Sequence, residues 1–182
     1  HVPALSLYSV ILLATALFIA LGFEFVNGFH DTANAVATVI YTNALSAPVA
    51  VMWCGFCNFL GVMVASGAVA YGIIALLPVE LIMNVGSGAG FAMVFAMLIA
   101  AITWNLGTWY FGIPASSSHT LIGSILGVGI MNYILNSSSG ASGVDMEQVL
   151  KVGKALLFSP LIGFAFAAVL FLLVKKIFKK QL

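Results

Sequence analysis

Runs of about 20 apolar residues recur along this chain, and they restrict its fold more than any other feature. The first covers residues 5–25, and others begin near Pro48, Phe91 and Leu156. A helix needs about 20 apolar residues to cross the hydrocarbon core of a bilayer. Because 63% of the 182 residues are hydrophobic and only 6% are charged, the composition indicates an integral membrane protein.

The spans are predicted to be helical, because the alternating pattern of a membrane barrel is absent. We expect an all-α integral membrane protein, a polytopic helical bundle forming a single transmembrane domain over 1–182. The predicted spans are 5–25, 48–77, 91–111 and 156–174, with broken or re-entrant segments at 27–41 and 114–135 and a polar loop at 136–150. Residues 5–25 lack a basic leading region and a small-residue cleavage site, so we expect a first span there and not a removable signal.

The second predicted span, residues 48–77, is longer than one bilayer requires. Pro48 suits the first turn of its helix, and Gly55, Gly61 and Gly67 are candidate kink positions. Residues 78–90 are expected to form an interfacial loop without chemistry of its own.

Charge indicates an orientation and excludes one class of partner. The chain has no arginine and a formal net charge of +1, so no electrostatic footprint for nucleic acid is present. Four of its six lysines follow the last apolar run, at Lys175, Lys176, Lys179 and Lys180. The positive-inside bias predicts that this end is cytoplasmic. We therefore expect a multi-pass protein of the inner or plasma membrane, in contact with the lipid bilayer.

The two cysteines, Cys54 and Cys57, form a C-x-x-C within an apolar run. A structural zinc site needs four ligands, and no other cysteine completes one. Helical packing is the favoured interpretation, and no protein metal site is predicted.

A polar stripe interrupts the first apolar region. In a helix over residues 22–41, steps of three and four place five polar residues on one face: Glu24, Asn27, Asp31, Asn34 and Thr38. A charge at the bilayer centre costs about 2.5 to 3.5 kcal/mol on insertion scales, so the stripe should face protein or a wet cavity. Gly28, followed by the usable caps Asp31 and Thr32, predicts that one helix ends here and another begins.

The second unusual stretch is residues 112–129, where Ser116, Ser117, Ser118, His119 and Thr120 stand between two apolar runs. Pro114 should end the preceding helix, and the serines can cap the next one. The apolar run that follows, residues 121–135, is short for a crossing, which predicts a re-entrant or broken segment. A helix start of this kind binds anions. The alternative, serines bonding their own backbone, explains one hydroxyl more easily than five consecutive polar residues.

Asn58 lies in the middle of the second predicted span. Two interpretations are equally open from the residues. Its amide either bonds to a neighbouring helix or forms a second wall of a site.

Two polar interruptions at membrane depth, each beside a helix start, are typical of secondary transporters. Hydroxyls, amides and backbone N–H groups suit an oxyanion, whereas Asp31 and Glu24 would repel one unless a cation or proton accompanies it. A protonated phosphate can donate a hydrogen bond to Asp31, and fully deprotonated sulfate cannot. The ligand set therefore favours phosphate carried with a cation.

The two stretches also match known motifs. NGFHDTANAVAT resembles the G-x-N-D-x-x-N-A signature of the inorganic phosphate transporter (Pit) family, and GIPASSSHTLIGSILGVG resembles its P-x-S-[ST]-[ST]-H motif. The resemblance is closest to the bacterial proton-coupled, low-affinity members. His30 stands where many members have asparagine or another small residue.

This resemblance implies symport of inorganic phosphate, alone or as a neutral metal-phosphate complex, with no bound cofactor. It implies substrate binding by matched residues of both motifs: Asn27, Asp31, Asn34, Ser116, Ser117, Ser118 and Thr120. Coupling to a cation is assigned to Asp31, His119, Glu24 and Asn58. A proton is favoured over sodium, because Asn58 stands where sodium-coupled relatives carry glutamate.

The family is built from two inverted halves that share the site, and this chain resembles the first. We therefore expect one half of an inverted-repeat transporter, completed by a second transporter half or by a homo-oligomer. Three alternatives come from other classes: a structural membrane subunit, a channel, and an intramembrane hydrolase using a serine with His119 or His30. The hydrolase is disfavoured because Ser118 and His119 are sequence neighbours that a helix points apart.

Overall fold

The computed structural model describes residues 6–77, 88–136 and 144–178, and these residues form helices with no strand among them. The helices are α1 (Leu7–Tyr41), α2 (Ala47–Val64), α3 (Ala68–Ile74), α4 (Gly88–Tyr110), α5 (Ser117–Asn136) and α6 (Met146–Ile177). All but the short α3 are long and apolar enough to cross a membrane, which gives five candidate spans in the described residues. The predicted all-α polytopic membrane fold is therefore confirmed.

Contacts divide the chain into two units, residues 1–144 and 145–182. In the first unit, α1 packs against both α2 and α4, and α4 packs against α5. The buried core is small and includes Phe23 and Val26 of α1, Leu98 and Ala101 of α4, and Ile122 and Ile125 of α5. Most other large hydrophobic side chains are exposed, as expected for helices whose solvent is lipid.

Helix α1 corrects the prediction of a broken segment at residues 27–41. It is one continuous helix of 35 residues, capped at its start by the Ser6 side chain, and it passes through Gly28 without ending. The Thr32 hydroxyl donates to the Gly28 carbonyl at 2.6 Å, so Thr32 acts inside the helix and not as a cap. In an apolar environment every backbone group needs a partner, and this requirement outweighs the weak helix propensity of one glycine.

The predicted span 48–77 is divided into α2 and α3. Gly67, one of the three candidate kink glycines, has φ of 70° and is the N-cap of α3. That left-handed conformation is strained for residues with a side chain. Pro48 lies in the first turn of α2, as predicted.

The chain turns between α4 and α5 because specific backbone bonds end α4. After Tyr110, Gly112 adopts φ of 67°. Its N–H donates to the Trp109 carbonyl at 3.0 Å, and the Ile113 N–H donates to the Thr108 carbonyl at 2.8 Å. These two bonds form a Schellman motif, and the following Pro114 cannot continue the helix.

Helix α5 then begins directly at Ser117 and continues unbroken to Asn136, so the segment at 114–135, predicted to be re-entrant or broken, contains no break after Ser117. It has 20 residues, or about 30 Å at 1.5 Å per residue, which is long enough to cross. The prediction counted only the apolar run, whereas Ser117–Thr120 belong to the helix and lengthen it.

Helix α6 forms the second unit and starts earlier than predicted. The Asp145 carboxylate accepts from the N–H groups of Glu147 and Gln148 at 2.9 and 3.2 Å, so the helix begins inside the expected polar loop of residues 136–150. It continues past Pro160 to Ile177, with Lys175 and Lys176 in its last turn. Residues 137–143, and most of the expected loop at 78–90, lie outside the described residues.

Candidate functional site

The polar stripe lies along the margin of the helix packing. The buried α1 residues Phe23, Val26 and His30 each precede a stripe residue by one position, which is a rotation of about 100° around the helix. Asn27 and Asp31 are half-buried, whereas Glu24, Asn34 and Thr38 are exposed. The stripe therefore borders the α1 interface and presents much of its polar surface outward.

Asp31 connects the two motifs in space. The Ser117 hydroxyl donates to Asp31 Oδ2 at 3.4 Å, across 86 positions of sequence and in a partly buried setting. This distance is long for a hydroxyl and a carboxylate, whose bonds are usually about 2.5 to 3.0 Å. The contact is weak enough for a ligand oxygen to compete with either partner.

The remaining polar residues of the second motif organise the first turn of α5. The Ser116 hydroxyl oxygen accepts from the His119 N–H at 3.4 Å and lies 2.8 Å from His119 Nδ1. The Thr120 hydroxyl donates to the Ser116 carbonyl at 2.9 Å. Ser118 is exposed. Of the four predicted hydroxyl residues, Ser117 alone bonds to Asp31.

A groove of about 920 Å³ runs between α4 and α5. Its walls are mostly apolar, and the polar residues that line it include Thr108, Ser116, His119, Thr120, Ser124 and Asn132. Ser116, His119 and Thr120 therefore border this groove, while the adjacent Ser117 contacts α1. The start of α5 is accessible from two sides.

His30 and Thr108 form a buried polar contact between α1 and α4. His30 Nε2 lies 3.1 Å from Thr108 Oγ1, and the two residues are 8% and 7% exposed. Asn105 lies one turn before Thr108 and is 2% exposed. Its Oδ1 atom has no hydrogen-bond partner among the described residues.

Two residues predicted to couple a cation, Asn58 and Glu24, lie apart from the contact between Asp31 and Ser117. The Asn58 amide donates to the Cys54 carbonyl of its own helix at 3.1 Å and lies 3.5 Å from the Cys54 sulfur. Glu24 is exposed, two turns before Asp31 on α1. Among the described residues, Asn27 and Asn34 make no hydrogen bond to α5. The structure thus joins Asp31 to Ser117 and leaves Asn58 bonded within α2.

Known proteins match this chain over a range that includes both polar stretches. Residues 27–182, which begin at the first residue of the Asp31 motif, match the profile of the phosphate transporter family. The chain belongs to this family. The match covers most of the chain and includes both polar stretches, so the resemblance inferred from the two motifs is confirmed. The family is one of transporters, which agrees with the prediction that the chain is not an enzyme.

Relatives in this family are described as phosphate transporters. The chain is 50% identical to the low-affinity inorganic phosphate transporter PitA of Escherichia coli K12 over 172 residues, 94% of this chain and 34% of that protein. It is 49% identical to PitB of the same strain, with the same coverage. A probable low-affinity inorganic phosphate transporter of Bacillus subtilis is 38% identical over 93% of this chain and 48% of the relative. The chain thus spans about a third of the Escherichia coli relatives. No solved structure matches it.

Asn105 and Thr108 were not predicted as polar contacts of the site, because they belong to an apolar span and to neither motif. Their spacing of three residues on one helix face was the available signal. It could not indicate that His30 would be their neighbour, because that depends on which face of α1 packs against α4.

Proposed function

We propose that this chain forms one wall of a phosphate symport site, in which phosphate binds between Asp31 of α1 and the first turn of α5. The observation that carries the proposal is the contact of 3.4 Å between Asp31 Oδ2 and Ser117 Oγ. It brings together two polar stretches that belong to different helices of a phosphate transporter family member.

The start of α5 supplies donors for an oxyanion. The first N–H groups of a helix have no carbonyl partner within it, and the helix dipole makes this end positive. Ser116, Ser117, Ser118 and Thr120 add hydroxyls at the same end. Asp31 then accepts a hydrogen bond from a protonated phosphate oxygen, replacing the long contact with Ser117. Asn27 and Asn34, one turn on either side of Asp31, complete the proposed binding set.

We propose that a cation travels with phosphate, because the Asp31 carboxylate would otherwise repel the anion. No lysine or arginine precedes Lys151 in the sequence, so the first unit contributes no side-chain cation of that kind. We propose a proton, held by Asp31, His119 or phosphate itself, with Glu24 also available. Asn58 has no ionisable group, and its NH2 group donates to the Cys54 carbonyl. Only its neutral Oδ1 atom could contact sodium, and the absence of a charge there makes it a weak candidate for binding sodium.

A divalent metal is proposed only as cargo bound to phosphate. Among the described residues, no group of three His, Cys, Asp or Glu side chains is placed to hold a metal ion. Phosphate oxygens are themselves suitable ligands for hard divalent cations.

The proposed site needs a second wall. Glu24 and Asn34 are exposed on α1, and unpaired polar groups cost several kcal/mol each in hydrocarbon. We propose that an inverted second half, or a second copy of this chain, covers the stripe in an inner or plasma membrane with Lys175 and Lys176 cytoplasmic.

The direct test is labelled phosphate uptake into proteoliposomes that contain the transporter of which this chain is part. A pH gradient, acidic on the side of entry, should drive accumulation, and replacing sodium with potassium should leave it unchanged. Excess unlabelled phosphate should compete, while sulfate should compete poorly. Sodium-dependent uptake that ignores the pH gradient would overturn proton coupling. Passive conduction without accumulation would favour a channel.

A further inference from the structure

We infer that His30 is a positioning residue, which fixes the rotation of α1 about its axis so that Asp31 faces Ser117. The inference deepens the proposed function and rests on it. His30 is adjacent to Asp31 in sequence, but its side chain points about 100° away around the helix. It lies in the α1–α4 interface, at 3.1 Å from Thr108 Oγ1.

The hydrogen-bond pattern around Thr108 determines the direction of this contact. The Thr108 hydroxyl has one proton, and its oxygen lies 2.8 Å from the Trp104 carbonyl and 3.1 Å from the Asn105 carbonyl of its own helix. That proton is therefore directed to the α4 backbone, and the hydroxyl oxygen accepts from His30 Nε2–H. His30 is the donor in the bond that joins α1 to α4.

The hydrogen bond between His30 and Thr108 limits the rotation of α1 more strongly than apolar contacts can. In lipid, apolar side chains gain little by choosing a protein surface over hydrocarbon chains, so apolar contacts fix the rotation of a helix weakly. The other buried residues of α1 are Ala16, Phe23, Val26 and Val36, which have no polar side-chain groups. A rotation of one residue step would carry Asp31 away from Ser117, and the His30 bond opposes it.

The test measures the packing of α1 against α4 and the transport of phosphate separately. A side chain at Gly22 would place its Cβ 3.7 Å from Ile102 Cδ1 of α4, so cysteines at these two positions report how α1 and α4 meet. The pair is introduced into the whole transporter with Cys54, Cys57 and any other cysteine replaced by serine, and is linked with a short thiol-reactive reagent. Phosphate uptake is measured in the same backgrounds without the pair.

Removing either partner of the His30–Thr108 hydrogen bond should change both the rate of cross-linking and the kinetics of phosphate uptake. We expect His30→Leu and Thr108→Val to slow cross-linking severalfold and to raise the apparent KM for phosphate by roughly 2- to 10-fold, the range for loss of one hydrogen bond. The maximal rate per folded molecule should change less than twofold. The double variant should be no worse than the more affected single variant, because both changes remove the same bond.

Conservative variants provide the matched controls. His30→Gln keeps a donor near the Nε2 position and should restore both measurements towards the parental values. Thr15→Val removes an exposed α1 hydroxyl that bonds only the Ile11 carbonyl of its own helix, and should change neither.

Parental cross-linking in His30→Leu, additive effects in the double variant, or a His30→Gln defect equal to that of His30→Leu would each overturn the inference. If His30→Leu does not fold, the isosteric Thr108→Val decides on the same criteria. Asp31→Asn is measured in parallel. Normal accumulation by Asp31→Asn would refute the role proposed for Asp31, while cross-linking would still decide whether His30 orients α1.

Discussion

At the scale of single residues, Asp31 combines a carboxylate with a position at the edge of helix packing. It is half-buried, so it remains accessible to a ligand while its charge is partly shielded from water. Its one described partner is a neutral hydroxyl at 3.4 Å. A carboxylate without a close cationic partner repels an anion unless the ligand carries a proton or a cation that offsets the charge.

Asp31→Asn should abolish accumulation of phosphate against its gradient, because the amide can neither carry the coupled proton nor balance it. Asparagine keeps an acceptor oxygen but loses the charge, so the hydrogen bond from a protonated phosphate should fall from about 1.5 to 3 kcal/mol to about 0.5 to 1.5 kcal/mol, a loss of roughly 10-fold in affinity. Radiolabelled uptake into proteoliposomes measures both effects. Asp145→Asn is the control, since it neutralises an exposed carboxylate whose role is to cap α6, and asparagine caps as well. Parental accumulation in Asp31→Asn would contradict the proposed role.

The hydroxyl residues at the start of α5 should show graded effects, because several donors share one anion. Ser117→Ala should raise the apparent KM by roughly 2- to 10-fold, since one neutral hydrogen bond is worth about 0.5 to 1.5 kcal/mol. Alanine at Ser116, Ser117 and Ser118 with valine at Thr120 should weaken binding further than any single change. Initial rates over a range of phosphate concentrations measure this.

Ser124→Ala is the comparison for that series. Its hydroxyl lies two turns further along the same helix and donates to the Leu121 carbonyl at 2.8 Å. We expect its KM to stay within twofold of the parental value. Unchanged kinetics in the combined variant would remove this segment from the binding site.

At the scale of elements, the backbone assigns opposite roles to two glycines. Gly28 is inside the continuous helix α1 with open space where a Cβ would be, whereas Gly67 has φ of 70° and joins α2 to α3. Gly28 therefore weakens its helix without a compensating geometric need, and Gly67 is required by the turn.

Alanine at these two positions should shift stability in opposite directions. Gly28→Ala should stabilise the protein by about 0.5 to 1 kcal/mol through helix propensity. Gly67→Ala should destabilise the protein by about 1 to 2 kcal/mol, because a residue with a side chain is strained in the left-handed backbone conformation. A steric clash adds nothing to this cost, since the nearest Tyr71 ring atom would be at 3.5 Å, an ordinary contact. Thermal unfolding in detergent measures both. Gly55→Ala, also helical and open, is the control and should behave like Gly28→Ala. Destabilisation by Gly28→Ala would support a helix break at Gly28.

The elements also explain what the sequence could and could not predict. The all-α polytopic membrane class was predictable, because apolar length is a local property, and so were the Pro48 start of α2 and the new helix after Pro114, whereas several helix bounds were not. The break at Gly28 was predicted from local caps, but neighbouring backbone bonds kept the helix continuous. Asp31 and the serines were identifiable as polar residues in apolar surroundings. The His30–Thr108 bond was not, because it depends on how two helices pack.

At the scale of the whole molecule, the first unit presents its chemistry at an exposed edge. The stripe on α1 has outward-facing carboxylate and amide groups, and Ser116, His119 and Thr120 at the start of α5 border the groove between α4 and α5. Alternating access needs two walls that move against each other around one site. The described residues supply one such wall.

This chain reconstituted alone as a monomer should therefore not accumulate phosphate. One wall can bind an anion weakly, but it cannot close a site on both sides of the membrane in turn. The measurement is gradient-driven uptake by residues 1–182 in proteoliposomes, with the oligomeric state fixed by cross-linking and the whole transporter as the positive control. Uptake confined to a self-associated form would indicate that two copies replace the two halves. Uptake by the monomer at the rate of the whole transporter would refute the need for a second wall, because Asp31 and the start of α5 would then suffice.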